Sequence, residues 1–225
     1  MEQKSTTQYR RAKTWQLIAA PANACIPTMF IILMTFASYV ATGVYGLTTV
    51  LAGTIITGTR VFDAVTDPLI GLWCDRFESR FGRARPFSWL GWIIMSLCVF
   101  GMFNLGLGGG TGLVNTLIFI GIYLVYIIGY TIFNIGSGLV QPIMSNDPKQ
   151  RPILARWQTI YTTVLSSCMS VVLAATLMPK HNYQMGLPLF ADLCVMVIAA
   201  SAVLMIITHV AVTSAKVDVP ETYVN

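Results

Sequence analysis

Charged residues are scarce in this chain. Only 10% of its 225 residues are Asp, Glu, Lys or Arg, whereas 55% are hydrophobic, and the mean hydropathy is +0.68. A soluble globular domain carries roughly 25% charged residues. The deficit excludes an ordinary soluble domain and places the chain among membrane proteins.

Residues that build metal centres and catalytic sites are few and scattered. The chain has two histidines and five cysteines, and the cysteines lie in apolar runs with no CxxC spacing: Cys25, Cys74, Cys98, Cys168 and Cys194. Cysteines of this kind are typical of small packing residues. No Ser-His-Asp or Cys-His arrangement stands out, so the sequence predicts no enzyme, no metal site and no cofactor.

A phosphate-binding loop is missing as well. The stretch GLGGGTG at 106–112 is rich in glycine, but no Lys-Ser or Lys-Thr pair follows it. The pattern of a phosphate-binding loop requires that pair. The sequence therefore predicts a flexible turn outside the membrane.

Long apolar runs are abundant. A helix of about 20 residues crosses a hydrocarbon core about 30 Å thick. Six segments reach that length and predict membrane-spanning helices: 15–41, 46–73, 87–105, 113–143, 153–178 and 187–212. The expected fold class is an all-α membrane protein, with a six-helix bundle at 15–213 between tails at 1–14 and 214–225.

Basic residues lie on one side of this predicted topology. They occur at the N-terminus and after the second, fourth and sixth helices: Lys4, Arg10, Arg11, Lys13, Arg76, Arg80, Arg83, Arg85, Lys149, Arg151, Arg156 and Lys216. On the other side, only Lys180 is basic. Because Lys and Arg mark the cytoplasmic side, we expect both termini in the cytoplasm. This topology accounts for the net charge of +5, so no nucleic-acid partner is expected.

Three charges lie in the middle of the second predicted helix. Arg60, Asp63 and Asp67 are spaced i, i+3, i+7 and share one helical face. A charge in the bilayer interior is costly unless it is paired or hydrated. Arg60 can pair with Asp63, which leaves Asp67 available to a proton or a hydrated cation.

Two interpretations of these charges remain open. Two carboxylates one turn apart repel each other when ionised, so they readily take up positive charge and form a cation site. Pro68 adds to this, because it cannot donate a hydrogen bond to the carbonyl of Ala64. The alternative is a buried ion pair that locks two helices, which leaves one aspartate unpaired. Ionisable residues within membranes are functional by default, and this favours the cation site.

The sequence around these charges resembles a known family. RVFDAVTDPLIGLWCDRFESRFGRARPF, residues 60–87, has every fixed position of R-x-x-D-x-x-x-D-P-x-x-G-x-x-x-D-R followed by G-[RK]-x-[RK]-P. This is the signature of the glycoside–pentoside–hexuronide:cation symporters, a branch of the major facilitator superfamily. The stretch GYTIFNIGSGLVQPIMSNDPKQRPILARW, residues 129–157, resembles the fourth helix of that family and the loop after it.

The resemblance implies a fold and a set of site residues. The fold is the N-terminal six-helix half of the superfamily, a 3+3 inverted repeat, and the expected location is the plasma (bacterial inner) membrane. The implied cation site comprises Asp63, Asp67, Thr66, Thr131 and Asn134. The candidate substrate contacts are Arg60, Tyr126, Tyr130, Trp157 and Tyr161, with packing or an interfacial belt as the alternative for each aromatic. The implied gate loop contains Asp75, Arg76, Arg83 and Arg85.

Departures from the family pattern leave the ion and the cargo open. Thr66 replaces an asparagine and Asn134 replaces an aspartate, so both H+ and Na+ remain candidates for the coupling ion. The first predicted helix has no acid, and Gly138 replaces an aromatic residue that packs on the sugar. The expected function is cation-coupled symport of a sugar or glycoside by alternating access. The alternatives are a carrier of a lysolipid-like cargo and a non-transporting membrane remnant or partner subunit.

One half of such a transporter needs a counterpart. A single six-helix half would present its charged face to lipid, at a high cost in free energy. Besides membrane lipid, we therefore expect as partner a second six-helix half or another copy of the chain. Pairing with a separate half, or truncation of a longer protein, is favoured over a homodimer.

Overall fold

A computed structural model describes residues 11–77, 82–104 and 112–215. These residues form six long helical segments: α1 Thr14–Gly43, α2 Thr49–Arg76, α3 Ala84–Asn104, α4 Gly112–Met144, α5 Arg151–Lys180 and α6 Leu187–Ala215. Each bound lies within three residues of the predicted one. The prediction of an all-α fold is confirmed.

Some predicted features lie outside the described residues. These are the basic residues Lys4, Arg10, Arg80 and Lys216, the glycine-rich stretch at 106–112 apart from its last residue, and most of the two tails.

Five of the six helices are long and apolar enough to cross a membrane, namely α1, α3, α4, α5 and α6. The chain is therefore a multi-pass membrane protein. The remaining helix, α2, has a sufficient length of 28 residues but carries Arg60, Asp63 and Asp67 in its middle. Its membrane span stays a prediction.

The helix α1 is interrupted, which the sequence analysis did not predict. It consists of four pieces, the second of them a 3-10 helix: Thr14–Ala19, Ala20–Cys25, Ile26–Met34 and Ala37–Gly43. Pro21 and Pro27 lack the N–H that a continuous α-helix requires. On α6, the Thr208 hydroxyl accepts the backbone N–H of Asn23 at 3.0 Å. A neighbouring helix thus satisfies a polar group at the interruption.

The two ends of the described chain meet at one end of the bundle. Gln16 Nε2 near the start of α1 donates to Ser214 Oγ near the end of α6, at 3.1 Å. This end is hereafter the terminal end, and the other is the distal end. At the distal end, Lys180 Nζ and His181 Nε2 lie 2.5 and 3.0 Å from Asp192 Oδ2 and close the α5–α6 turn.

A polar clamp fastens the start of α1 to the α4–α5 turn at the terminal end. Arg11 Nε donates to Asp147 Oδ2 at 2.7 Å. The Gln150 side chain accepts the backbone N–H of Ala12 and donates to its carbonyl, both at 3.0 Å. Two successive residues just before the first turn of α1 are therefore held by a segment far away in sequence.

The most extensive helix pair is α3 with α4, which run antiparallel. Glycines allow their backbones to touch. A Cβ atom on Gly91 would lie 2.4 Å from the backbone nitrogen of Phe133, and a Cβ on Gly136 would lie 2.6 Å from that of Ser88. In lipid, small residues at helix interfaces give the close packing that drives helix association. This pair gives α4 a rigid support.

The α3–α4 contact predicts that Gly136→Ala destabilises the protein. The added methyl group would meet the α3 backbone, which can yield only by separating the helices. Overpacking of this kind costs about 1–3 kcal/mol. The matched control is Gly121→Ala on the same helix, where a Cβ meets no atom within 4 Å. Thermal unfolding in detergent should show a lower midpoint for Gly136→Ala alone, and equal midpoints would contradict the packing argument.

The polar clamp predicts an acid-sensitive contribution to stability. Asp147 accepts the backbone N–H of Lys149 and pairs with Arg11, and these contacts hold the pKa of its carboxyl below the usual value. Because the folded pKa is depressed, the carboxylate stabilises the fold above about pH 3.9, and this contribution disappears as the pH falls below that value. Between about pH 6 and pH 3, the wild type should lose more thermal stability than Asp147→Asn. Equal losses would show that the clamp is not energetically coupled to folding.

Candidate cation and substrate site

The charged residues of α2 line one cavity together with residues of α4. This cavity, hereafter the acid cavity, has a volume of about 490 Å³. Its lining residues come from two helices: Arg60, Asp63 and Asp67 from α2, and Tyr130, Thr131, Asn134 and Ile135 from α4. The i, i+3, i+7 spacing on α2 turns all three charges to the face beside α4. Four of the five predicted cation ligands are brought together here.

Two of these ligands are joined by a hydrogen bond between helices. The buried Thr131 hydroxyl donates to Asp67 Oδ1 at 2.8 Å, which holds that carboxylate against α4. Asn134 lies one turn further along α4, where its Nδ2 donates to the carbonyl of Tyr130 at 2.9 Å. The remaining carboxylate oxygen of Asp67 and the amide oxygen of Asn134 are ligands of the type that hard cations prefer.

The Arg60–Asp63 ion pair leaves part of Asp63 unsatisfied. Arg60 Nη1 lies 3.7 Å from Asp63 Oδ2, while Asp63 Oδ1 is buried without a hydrogen-bond partner. Both residues belong to α2, so their pair cannot lock two helices together. A buried acceptor without a partner carries a desolvation cost. A proton or a cation at this oxygen would remove that cost.

The fifth predicted ligand, Thr66, does not line the acid cavity. Its hydroxyl donates to the backbone carbonyls of Phe62 and Asp63 on its own helix, at 3.1 and 3.3 Å. Threonine commonly bonds to its own helix in this way. A role for Thr66 in cation binding stays a prediction.

A second cavity of about 390 Å³ lies between α1, α2 and α4. It shares Arg60, Asp63 and Tyr130 with the acid cavity, and we call it the tyrosine cavity. Tyr123, Tyr126 and Tyr130 line it, with ring centroids 6.2 Å apart between successive residues. Three of the predicted substrate contacts, Arg60, Tyr126 and Tyr130, therefore meet at one cavity. The sequence analysis missed Tyr123, although its i, i+3, i+7 spacing with the other two tyrosines would have indicated a shared face.

The other two predicted substrate contacts lie elsewhere. Trp157 and Tyr161 pair with each other on α5, with ring centroids 6.1 Å apart. Neither residue lines the acid cavity or the tyrosine cavity. Substrate contact by this pair stays a prediction.

The predicted gate residues lie around the α2–α3 connection at the terminal end. Asp75 and Arg76 occupy the exposed last turn of α2, and Arg85 lies in the first turn of α3. Arg83 Nε donates to the carbonyl of Phe77 at 3.1 Å and so fastens the start of α3 to the end of α2. The role of these residues as a gate stays a prediction.

Comparison with known proteins decides the family. The sequence profile described as "MFS/sugar transport protein" matches residues 14–222, which is nearly the whole chain. The chain belongs to this family. The family resemblance and the major-facilitator half bundle inferred from the sequence are confirmed.

Relatives of the chain within the family are symporters and permeases. YagG of Escherichia coli (strain K12), which carries the provisional name of a glycoside/cation symporter, is 29% identical over 75% of this chain and 35% of its own length. The inner membrane symporter YicJ of the same strain is 28% identical over 84% of this chain and 40% of its own length. The lactose permease of Lactobacillus delbrueckii subsp. bulgaricus is 31% identical over 53% of this chain and 19% of its own length.

Two conclusions follow from these matches. The family and its named relatives are transporters, which confirms the prediction that the chain is not an enzyme. The chain also spans two fifths or less of the length of the relatives it matches.

The Thr131–Asp67 hydrogen bond predicts an effect on cation binding at the acid cavity. Thr131→Val removes a donor to a carboxylate, and such a bond contributes about 1.5–3 kcal/mol. If Thr131 positions the Asp67 carboxylate for a cation, Na+ binding should weaken by up to roughly ten- to hundredfold, because the freed side chain is no longer held beside Asn134. Titration of the purified chain with Na+ at fixed pH would measure this by tryptophan fluorescence.

The matched control for this substitution is Thr116→Val. The Thr116 hydroxyl donates to the carbonyl of Gly112 on the same helix, and Thr116 does not line the acid cavity. Its loss should leave cation binding unchanged. Equal effects of the two substitutions would mean that Thr131 does not position Asp67 for a cation.

Proposed function

We propose that the chain forms the N-terminal half of a symporter that couples the uptake of a sugar or glycoside to H+ or Na+. The carrying observation is the acid cavity, where Asp63 has a buried oxygen without a partner beside a second carboxylate, Asp67. Membership of a sugar-transport family and likeness to relatives named as glycoside symporter and lactose permease support it. The terminal end faces the cytoplasm of a bacterial cell, because Lys and Arg collect there.

The two cavities suggest how the ion and the sugar influence each other. A cation or proton bound at Asp63 and Asp67 weakens the ion pair between Asp63 and Arg60. Arg60 also lines the tyrosine cavity, where its guanidinium and the tyrosine hydroxyls can donate hydrogen bonds to a sugar. Binding of the ion therefore changes the donors available to the sugar. An ion that frees Arg60 to donate to the sugar raises the affinity for the sugar. By thermodynamic linkage, the sugar then raises the affinity for the ion by the same factor.

The exposed face of α2 supports a second six-helix half as the partner of the chain. Arg60 and Asp67 are exposed on α2 beside apolar side chains such as Val61, Val65 and Leu69. Lipid tails would solvate the apolar side chains but would not stabilise the charged ones. A second six-helix half, packed on this face across a hydrated pathway, satisfies both and completes the route for alternating access.

The test is ligand binding to the purified chain with its oligomeric state recorded. A panel of glycosides is titrated at several pH values with and without Na+, for the wild type and for Asp63→Asn/Asp67→Asn. Saturable binding should depend on the ion and on both aspartates, because neutral amides cannot hold a cation as carboxylates do. Because asparagine resembles a protonated aspartate, sugar binding alone can survive the double substitution. Sugar binding that still depends on Na+ or on pH in the double variant would refute coupling at this site.

The matched control is Asp192→Asn, which neutralises another acid on a membrane helix. Asp192 pairs with Lys180 and His181 at the distal end and lines neither cavity. This variant should bind the sugar and the ion as the wild type does. Loss of binding in Asp192→Asn as well would indicate a general effect of removing charge on the fold.

A further inference from the structure

The acid cavity continues along one face of α4 towards the terminal end. Between residues 131 and 144, the exposed positions of α4 are Asn134, Gly138 and Pro142. Their i, i+4, i+8 spacing places them on one stripe of the helix. Asn134 lines the acid cavity, so the stripe leads away from it.

A third cavity begins where this stripe ends. It has a volume of about 320 Å³, lies between α4 and α5, and is hereafter the α4–α5 cleft. Gln141 and Pro142 line it from α4, and Arg151 lines it from the first turn of α5. From Ile135, the last α4 residue of the acid cavity, to Gln141 the helix rises only about 9 Å.

Gly138 lies midway between the two cavities. A Cβ atom at this position would meet no atom within 4 Å, so open space adjoins the helix there. Gly129 and Gly136 lie nine and two residues away on the same helix, and they differ because neighbouring atoms of α3 fill the space around them. Close helix packing therefore does not explain the glycine at 138.

The backbone at Gly138 offers a polar atom to this open space. Residue 142 would normally donate its N–H to the carbonyl of residue 138, but Pro142 has none to donate. The Gly138 carbonyl thus lacks its usual donor within the helix. Backbone oxygens released in this way are suited to line hydrated cavities at membrane depth.

We propose that Gly138 keeps open a hydrated passage by which the coupling ion leaves the acid cavity for the α4–α5 cleft and the cytoplasm. The inference rests on the proposed function, since it assigns an exit to the ion of that site. The ion moves from the carboxylates past Asn134 and the Gly138 carbonyl to the α4–α5 cleft, where Gln141 and Arg151 supply polar groups. The Gln141 side chain donates to Gln158 of α5. A large apolar side chain at 138 would expel the water and close the passage, as hydrophobic constrictions do in channels.

The first test measures access of water and cations to position 138 without requiring transport. Gly138→Cys and Gly121→Cys are made with Cys168→Ser, because Cys168 is exposed whereas the other cysteines of the chain are buried or half-buried. Inside-out membrane vesicles are treated with a cationic, membrane-impermeant methanethiosulfonate, and labelling is followed by mass. Gly121 is the control, because it is also an exposed glycine of α4 with open space around it but lines none of the three cavities.

The expected result is that Gly138→Cys reacts on the order of tenfold faster than Gly121→Cys, since a charged reagent needs a hydrated path. Similar slow rates at both positions would overturn the proposal and assign Gly138 to a contact with lipid or with the second half.

The second test measures transport. Gly138→Leu should lower the rate of ion-coupled uptake on the order of tenfold, while Gly138→Ala and Gly121→Leu retain it. An unchanged rate of uptake in Gly138→Leu would overturn the proposal that the ion passes Gly138. Uptake is measured with the chain assembled with a second six-helix half. If that assembly shows no ion-coupled uptake with the wild-type chain, the proposed function fails, and the labelling rates still decide whether the passage exists.

Discussion

An unpaired charge cannot remain in hydrocarbon, and the rest of this molecule is arranged around that constraint. The helix α2 carries three charges into a bundle whose other helices are apolar enough to span a membrane. The structure meets the demand by different means at each charge. Thr131 of α4 binds Asp67, Arg60 lies near Asp63, and two cavities provide space for water beside them. The groups that stabilise the charges of α2 within the bundle thus also form a site for ions.

The sequence was sufficient for features that depend on local pattern. Helix lengths follow from apolar runs, and the common face of Arg60, Asp63 and Asp67 follows from helical spacing, so the structure agrees with both. Thr131 and Asn134 were reached only through the family resemblance, because nothing local indicates which helix packs beside α2. The same ignorance of packing explains why Trp157 and Tyr161 were grouped with Tyr126 and Tyr130, although α5 carries them away from the two cavities.

Prolines show a second limit of sequence analysis. Pro21 and Pro27 divide α1 into pieces, whereas Pro68 and Pro142 lie inside helices that continue past them. The covalent effect, one missing N–H, is identical at all four positions. The outcome depends on whether neighbouring helices satisfy the exposed polar groups, as Thr208 does for α1. That information belongs to tertiary structure and cannot be read from the residue itself.

The clamp between Arg11 and Asp147 has a consequence for biogenesis. Its two residues are 136 positions apart, so Arg11 lacks its ion-pair partner while α1 to α3 are being synthesised. The segment just before α1 can therefore be fixed by this clamp only after the α4–α5 turn has been synthesised. During membrane insertion, α1 is consequently held by contacts other than this clamp.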